Sequence, residues 1–212
     1  MSKELSSHAV REFRSNLCRV AARRFAEFGY AGVTLRALAD ELGCSRTTPY
    51  RYFKNKEQIL WAVRADGFSR LAEVQEAAVR DEPEPARHLE AVARAYLRFA
   101  SDEPDSYRLM FETRDKIPTE PSAKQLAAVQ RSQRPLFNAV SIAVGAAAVE
   151  RHVTTVANLV WAALHGVASL HLAHRLTAGR TFEQLSEEMV RGLGNLVAVE
   201  PRDRSQPRES YS

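Results

Sequence analysis

Cysteine is almost missing from this chain: among 212 residues only Cys18 and Cys44 are cysteines. Two thiols without a secretion signal argue against a disulfide framework and fit a reduced, intracellular protein. No run of ~18 apolar residues occurs, so no membrane span is expected. The opening segment, MSKELSSHAVREF, lacks the apolar centre of a signal peptide. These absences together lead to an expectation of a cytoplasmic protein. The local patterns of common catalytic centres are missing too. There is no G-x-S-x-G, no glycine-rich phosphate loop and no Cys–His arrangement with context, so an enzyme is not expected. His171 and His174 stand three apart on a helical segment, but no cysteine or carboxylate joins them at ligand spacing. Neither a metal nor any other cofactor is therefore expected. Strand alternation, internal repeats and low-complexity tracts are absent, which leaves helices.

What charge there is lies unevenly. Residues 1–56 hold 11 Lys/Arg against 5 Asp/Glu, a net of +6, whereas the remaining residues are slightly acidic, at −2. A basic end on an otherwise balanced chain is the electrostatic footprint expected for contact with phosphates.

The same end carries the most informative stretch, Thr34 to Leu60. Thr34 is placed to cap a helix, since its hydroxyl can accept from an orphaned backbone N–H. Leu35, Leu38, Ala39 and Leu42 recur at helical spacing and give that helix one buried face. Gly43 stands where a helix end favours a left-handed residue. Ser45 can open a second helix, Arg46 to Tyr52, of about two turns, with Pro49 tightening its start. Asn55 caps a third, with Lys56 in its first turn. A helix, a glycine turn and a short helix rich in Arg, Thr and Tyr are the parts of a DNA-reading helix-turn-helix. Ahead of it, Val10, Phe13, Leu17, Val20, Ala21, Phe25 and Phe28 give one apolar side to a helix ended by Gly29. The polar side of that helix carries Arg11, Arg14, Arg19, Arg23 and Arg24.

From Ala21 to Leu60 the chain resembles the DNA-binding domain of the TetR family of transcriptional regulators. The likeness rests on Phe25, Gly29-Tyr30, Gly32, Thr34, Leu38-Ala39, Gly43, Ser45, Tyr50, Phe53, Lys56 and Leu60. The resemblance implies that Thr34, Arg36, Ser45, Arg46, Thr47, Thr48, Tyr50, Arg51, Tyr52 and Lys56 face DNA. Arg46 and Thr47 would then read base edges, while Thr48, Tyr50, Tyr52 and Lys56 would hold the backbone. Because so short a helix reads only a few base pairs, a two-fold homodimer on double-stranded DNA with a palindromic operator is expected.

Beyond Lys56 the apolar spacing predicts a helix to about Arg80, then others over 86–100, from Asp105 or Ser106 to Phe111, and over 123–144, 149–176 and 182–197. The expected fold is all-α with about nine helices. Residues 1–56 form a three-helix helix-turn-helix domain, 57–200 an effector-binding and dimerisation domain, and 201–212 a disordered tail. The helix over 149–176 is apolar on most sides and should be buried on most of them. The last two helices are the expected dimer surface. Trp161, His165 and Gly166 form a W-x-x-x-H-G pattern that resembles the C-terminal part of a subset of TetR-like regulators. A pocket for a small-molecule effector, lined by Tyr96, Phe99, Tyr107, Met110, Phe111, Phe137, Trp161 and His165, is the expectation drawn from it. The function so implied is a repressor released from DNA when that effector binds.

Overall fold

The computed structural model describes residues 7–111, 120–145, 149–176 and 179–197. The expected tail, 201–212, and most of the expected loop over 115–122 lie outside the described residues. Among those described there are eight α-helices, two single 3-10 turns and no strand. The helices are α1 (Ser7–Gly32), α2 (Leu35–Glu41), α3 (Lys56–Asp81), α4 (His88–Asp102), α5 (Pro104–Phe111), α6 (Ala123–Val144), α7 (Glu150–Leu172) and α8 (Phe182–Val197).

Local chemistry accounts for most boundaries. Thr34 and Asn55 accept from the backbone of Ala37 and Gln58, fixing the starts of α2 and α3. Ser122 and Gln125 form a reciprocal capping box at the start of α6. Gly29, at φ 69° and ψ 172°, interrupts α1 where the sequence predicts its end. After α2, Gly43 takes φ 64°, and the Cys44 and Gly43 amides close onto the carbonyls of Ala39 and Asp40.

Two expected helices differ. The second helix of the motif is only a 3-10 turn, Pro49–Arg51, preceded by turns at Arg46–Thr48. Pro49 has no N–H to offer a longer ladder, so most of the bonds that form are short: Thr48 to Ser45, Arg51 to Thr48 and Tyr52 to Pro49, with Phe53 to Pro49 the one helical bond. This is why eight α-helices stand where about nine are predicted. The helix expected to reach Leu176 stops at Leu172. There His174 adopts the left-handed conformation (φ 54°) and the Arg175 amide reaches back to the Leu170 carbonyl. Histidine in a glycine's position gives no warning in the sequence.

The buried side chains fall into two clusters. One joins α1, α2, the start of α3 and Phe53, with Leu17, Phe25, Leu38, Ile59 and Leu60 at its centre. The other joins the rest of α3 to α4–α8, around Val92, Tyr96, Tyr107, Leu136, Val160 and Leu164. Helix α5 serves both, placing Leu109 in the first and Tyr107 and Met110 in the second. It packs tightly on α3, where a side chain at Gly67 would meet the Met110 Sδ at 2.7 Å and the Ser106 Oγ at 2.9 Å.

Candidate functional site

Most of the polar residues predicted to face DNA are exposed. Thr34, Arg36, Ser45, Arg46, Thr47, Tyr50 and Arg51 are exposed, and Tyr50 keeps 59% of its surface in solvent. Among the described residues no ion pair or side-chain hydrogen bond holds Arg36, Arg46 or Arg51. These three guanidinium groups, Arg36 on α2 and Arg46 and Arg51 on the segment anchored by buried Pro49 and Phe53, are cations available to an outside anion. Just before Pro49 the hydroxyls of Ser45, Thr47 and Thr48 cluster, with Ser45 Oγ 3.1 Å and 2.8 Å from the other two. This cluster stands where the sequence predicts a capping bond from Ser45.

Two of the predicted contacts are engaged inside the protein. Tyr52 is half-buried, its ring stacked on Phe13 at 4.4 Å. Lys56 donates to the Tyr30 carbonyl at 2.7 Å, and its ammonium lies 4.1 Å from the Tyr30 ring centroid. The Tyr30 hydroxyl in turn donates to Glu57 at 2.6 Å, and that bond holds the Glu57 carboxyl below the usual carboxylate range. On α1, Arg23 and Arg24 are paired with Glu41, and Arg19 donates to Asn16.

The eight residues expected to line an effector pocket also come together in part. Tyr96, Phe99, Tyr107 and Met110 are buried, Phe111, Phe137 and His165 half-buried, and Trp161 lies at the surface. At the centre is a chain of polar groups. The Tyr107 hydroxyl is 2.6 Å from His165 Nδ1 and 2.8 Å from the Tyr96 hydroxyl. Ser169 Oγ approaches the other ring nitrogen of His165 at 3.4 Å. Trp161 stacks on His165 at 5.7 Å, and Phe111 meets His165 edge-on at 5.1 Å. Burial pushes the Tyr96 phenol up to about 12, because its anion would have little solvation there.

A cleft of about 230 Å³ lies elsewhere, between α4 and α8, lined by Arg94, Leu97, Arg98, Phe182, Ser186 and Glu187 among others. None of the eight predicted residues lines it.

Sequence comparison matches these two regions separately. Residues 17–63 fit the model of bacterial regulatory proteins of the tetR family, and residues 89–193 fit the tetracyclin repressor-like C-terminal domain. The chain belongs to the TetR family. The transcriptional repressor AcnR of Corynebacterium diphtheriae is 38% identical over 61 residues, 29% of this chain and 32% of AcnR. The transcriptional activator FasR of Mycolicibacterium smegmatis is 25% identical over 130 residues, 61% of this chain and 59% of FasR. This chain thus spans less than two thirds of either curated relative. The solved TetR-family regulator PfmR of Thermus thermophilus superposes with a TM-score of 0.65 at 20% identity, covering 84% of this chain and 97% of PfmR. That likeness is one of fold.

Against the TetR pattern, sequence reasoning misses the long-range polar ties. Arg64 donates to the Met110 carbonyl and Arg108 to the Leu172 carbonyl, both at 2.7 Å, so α5 is bonded to α3 and to the end of α7. No local signal marks either arginine. The two cysteines are unpaired and half-buried. Burial raises the Cys18 thiol to about 11. Since the thiolate is the reactive form, Cys18 should alkylate at pH 8 on the order of 10²-fold more slowly than an ordinary free thiol. Mass spectrometry of iodoacetamide-treated protein checks this, and labelling of Cys18 at an ordinary rate would contradict it.

Proposed function

We propose that this chain is a sequence-specific DNA-binding transcriptional regulator, a repressor released from a palindromic operator when a small molecule binds its C-terminal part. The observation that carries the reading is the set of unpaired, exposed guanidinium groups of Arg36, Arg46 and Arg51 around a recognition segment whose other side is buried. Such groups neutralise phosphates and place nearby side chains at base edges. Membership in a family of regulatory proteins supports the same reading. Arg46 and Thr47 read bases, and Ser45, Thr48 and Tyr50 fix register, with Thr34 and Arg36 beside them. Tyr52 and Lys56 contribute from their half-buried places.

The working unit is a homodimer built on α7 and α8 in the cytoplasm, with no catalytic activity, no cofactor and no membrane. The apolar outer face of α7 supports this. Leu159 is 56% and Leu170 46% exposed in one chain, and a side chain at Gly166 would meet nothing within 4 Å. The effector sits at the aromatic cluster of Tyr96, Tyr107, Phe111, Trp161 and His165, where apolar rings surround a few convergent polar atoms. Phe99, Met110 and Phe137 complete its wall. Binding there releases DNA only if the effector prefers a conformation whose recognition segments no longer match the half-sites. The likeness over 130 residues to FasR, a transcriptional activator, favours a second reading in which the bound protein turns transcription on.

Selection of fragments from a random DNA library, with wild type beside an Arg46→Ala, Tyr50→Ala double variant, tests the reading. Recovery of a palindrome by wild type alone supports it. Equal, salt-sensitive enrichment of all sequences by both proteins would sink it. A reporter placed behind the palindrome then separates repression from activation.

A further inference from the structure

The recognition segment has little stability of its own. A single 3-10 turn beginning at a proline cannot hold its orientation in isolation, because short helices in water are unstable without tertiary support. Its first side is fixed by the left-handed turn at Gly43 and the hydroxyl cluster at Ser45. Its far end leaves the Tyr52 carbonyl without a helical amide to accept from, and the partner comes from α1. Arg14 Nη1 donates to the Tyr52 carbonyl at 2.5 Å, across 38 residues of sequence. The same guanidinium lies 4.1 Å from the Phe53 ring centroid. Phe13, its neighbour, stacks on the Tyr52 ring with an interplanar angle of 27°. A cation at the carbonyl end of a helical turn also opposes the negative end of its dipole. Helix α1 is itself anchored here, with Leu17, Ala21 and Phe25 buried in the N-terminal core.

We propose that Phe13 and Arg14 are positioning residues for DNA reading. They clamp Tyr52 and Phe53, and through them set the direction of Arg46, Thr47, Tyr50 and Arg51, without touching DNA. The inference rests on the DNA-reading proposal above. A base contact is lost when its side chain is displaced by roughly an ångström, so loosening the clamp should cost specificity before it costs attraction to phosphates. Arg14 is exposed, however, and a direct phosphate contact is the competing role.

The two roles separate in a salt titration. Full-length wild type, Arg14→Met and Phe13→Leu are compared on the palindrome that wild type selects and on an unrelated duplex. Affinity is measured across salt concentrations and folding by circular dichroism. A clamp predicts that each variant weakens binding to the palindrome by about tenfold or more. Affinity for the unrelated duplex and the slope of log affinity against log salt should stay as in wild type. A phosphate contact predicts equal losses on both duplexes and a slope smaller by about 0.9 for every phosphate given up, and overturns the proposal. Wild-type affinity in both variants overturns it as well. If Arg14→Met does not fold, Phe13→Leu, which removes no charge, decides alone. Selection of no palindrome by wild type would refute the DNA-reading proposal itself, a failure distinct from that of the clamp.

Discussion

Glutamates in place of Leu159 and Leu170 together should turn the protein into single chains that no longer hold a palindrome. Both leucines are on the outer side of α7, at 56% and 46% exposure, with Thr155, Ala162 and Gly166 along the same stripe. Burying a leucine stabilises by about 1.5–3 kcal/mol, and two copies of two leucines on a two-fold axis contribute that several times over. A carboxylate at each place reverses the sign, because it must be desolvated beside its own symmetry mate. Wild type should sediment at twice 23.7 kDa at micromolar concentration and the variant at one chain. Affinity for the palindrome should drop by more than about 100-fold, since one half-site is then read alone. Helix content should not change, as neither side chain belongs to the buried core. A variant that remains dimeric would place the dimer surface elsewhere. Helix α7, at 23 residues and a mean hydropathy of 1.4 in its most apolar window, is long and apolar enough to cross a membrane, and 33% of that window is buried in one chain. The homodimer proposed above would cover that exposed part.

Loss of the Tyr107 side chain should be the most damaging single change in the C-terminal core. The residue is fully buried, 4.8 Å from the Phe111 ring and 5.7 Å from that of His165. Tyr107→Ala removes the ring and should cost about 3–5 kcal/mol, as for other large buried aromatics. Tyr107→Phe keeps the ring and removes only the hydroxyl. His165 Nδ1 then loses its 2.6 Å partner and keeps Tyr96 at 3.5 Å, at a cost of about 1–3 kcal/mol. Melting temperatures should fall by roughly 2–4 °C for each kcal/mol in a chain of this size, so the two variants are easily told apart. A Phe variant as stable as wild type would mean that the hydroxyl chain adds nothing net. The Tyr96 phenol gives a companion effect in base. With its folded value raised to about 12, the group contributes fully where both states are protonated, below the ordinary value near 10. That contribution is lost as the pH climbs from about 10 toward 12, as unfolding releases the proton more readily.

Much of this protein could be read residue by residue. Thr34, Asn55 and Ser122 start helices where their hydroxyl or amide oxygens meet amides three residues on, and Gly43 ends one because it tolerates a positive φ. These are contacts within a single turn, so sequence alone determines them, and with them the all-α class and the placing of the helix-turn-helix. Arg36, Arg46 and Arg51 came from the TetR resemblance, and all three are exposed. Only the tertiary structure decided the rest. Pro49 announced a tightened helix, but the stacking of Tyr52 on Phe13, 39 residues earlier, has no signal in the sequence. Lys56 gives no sign in the sequence that Tyr30, 26 residues earlier, accepts its hydrogen bond. The sequence of α7 predicts burial on most sides, whereas in the single chain Leu159, Trp161 and Leu170 stay exposed. Capping and periodicity are settled over distances of three or four residues. Which side chains meet across the molecule depends on how each helix is rotated when it docks, and that is fixed by the packing of all of them at once.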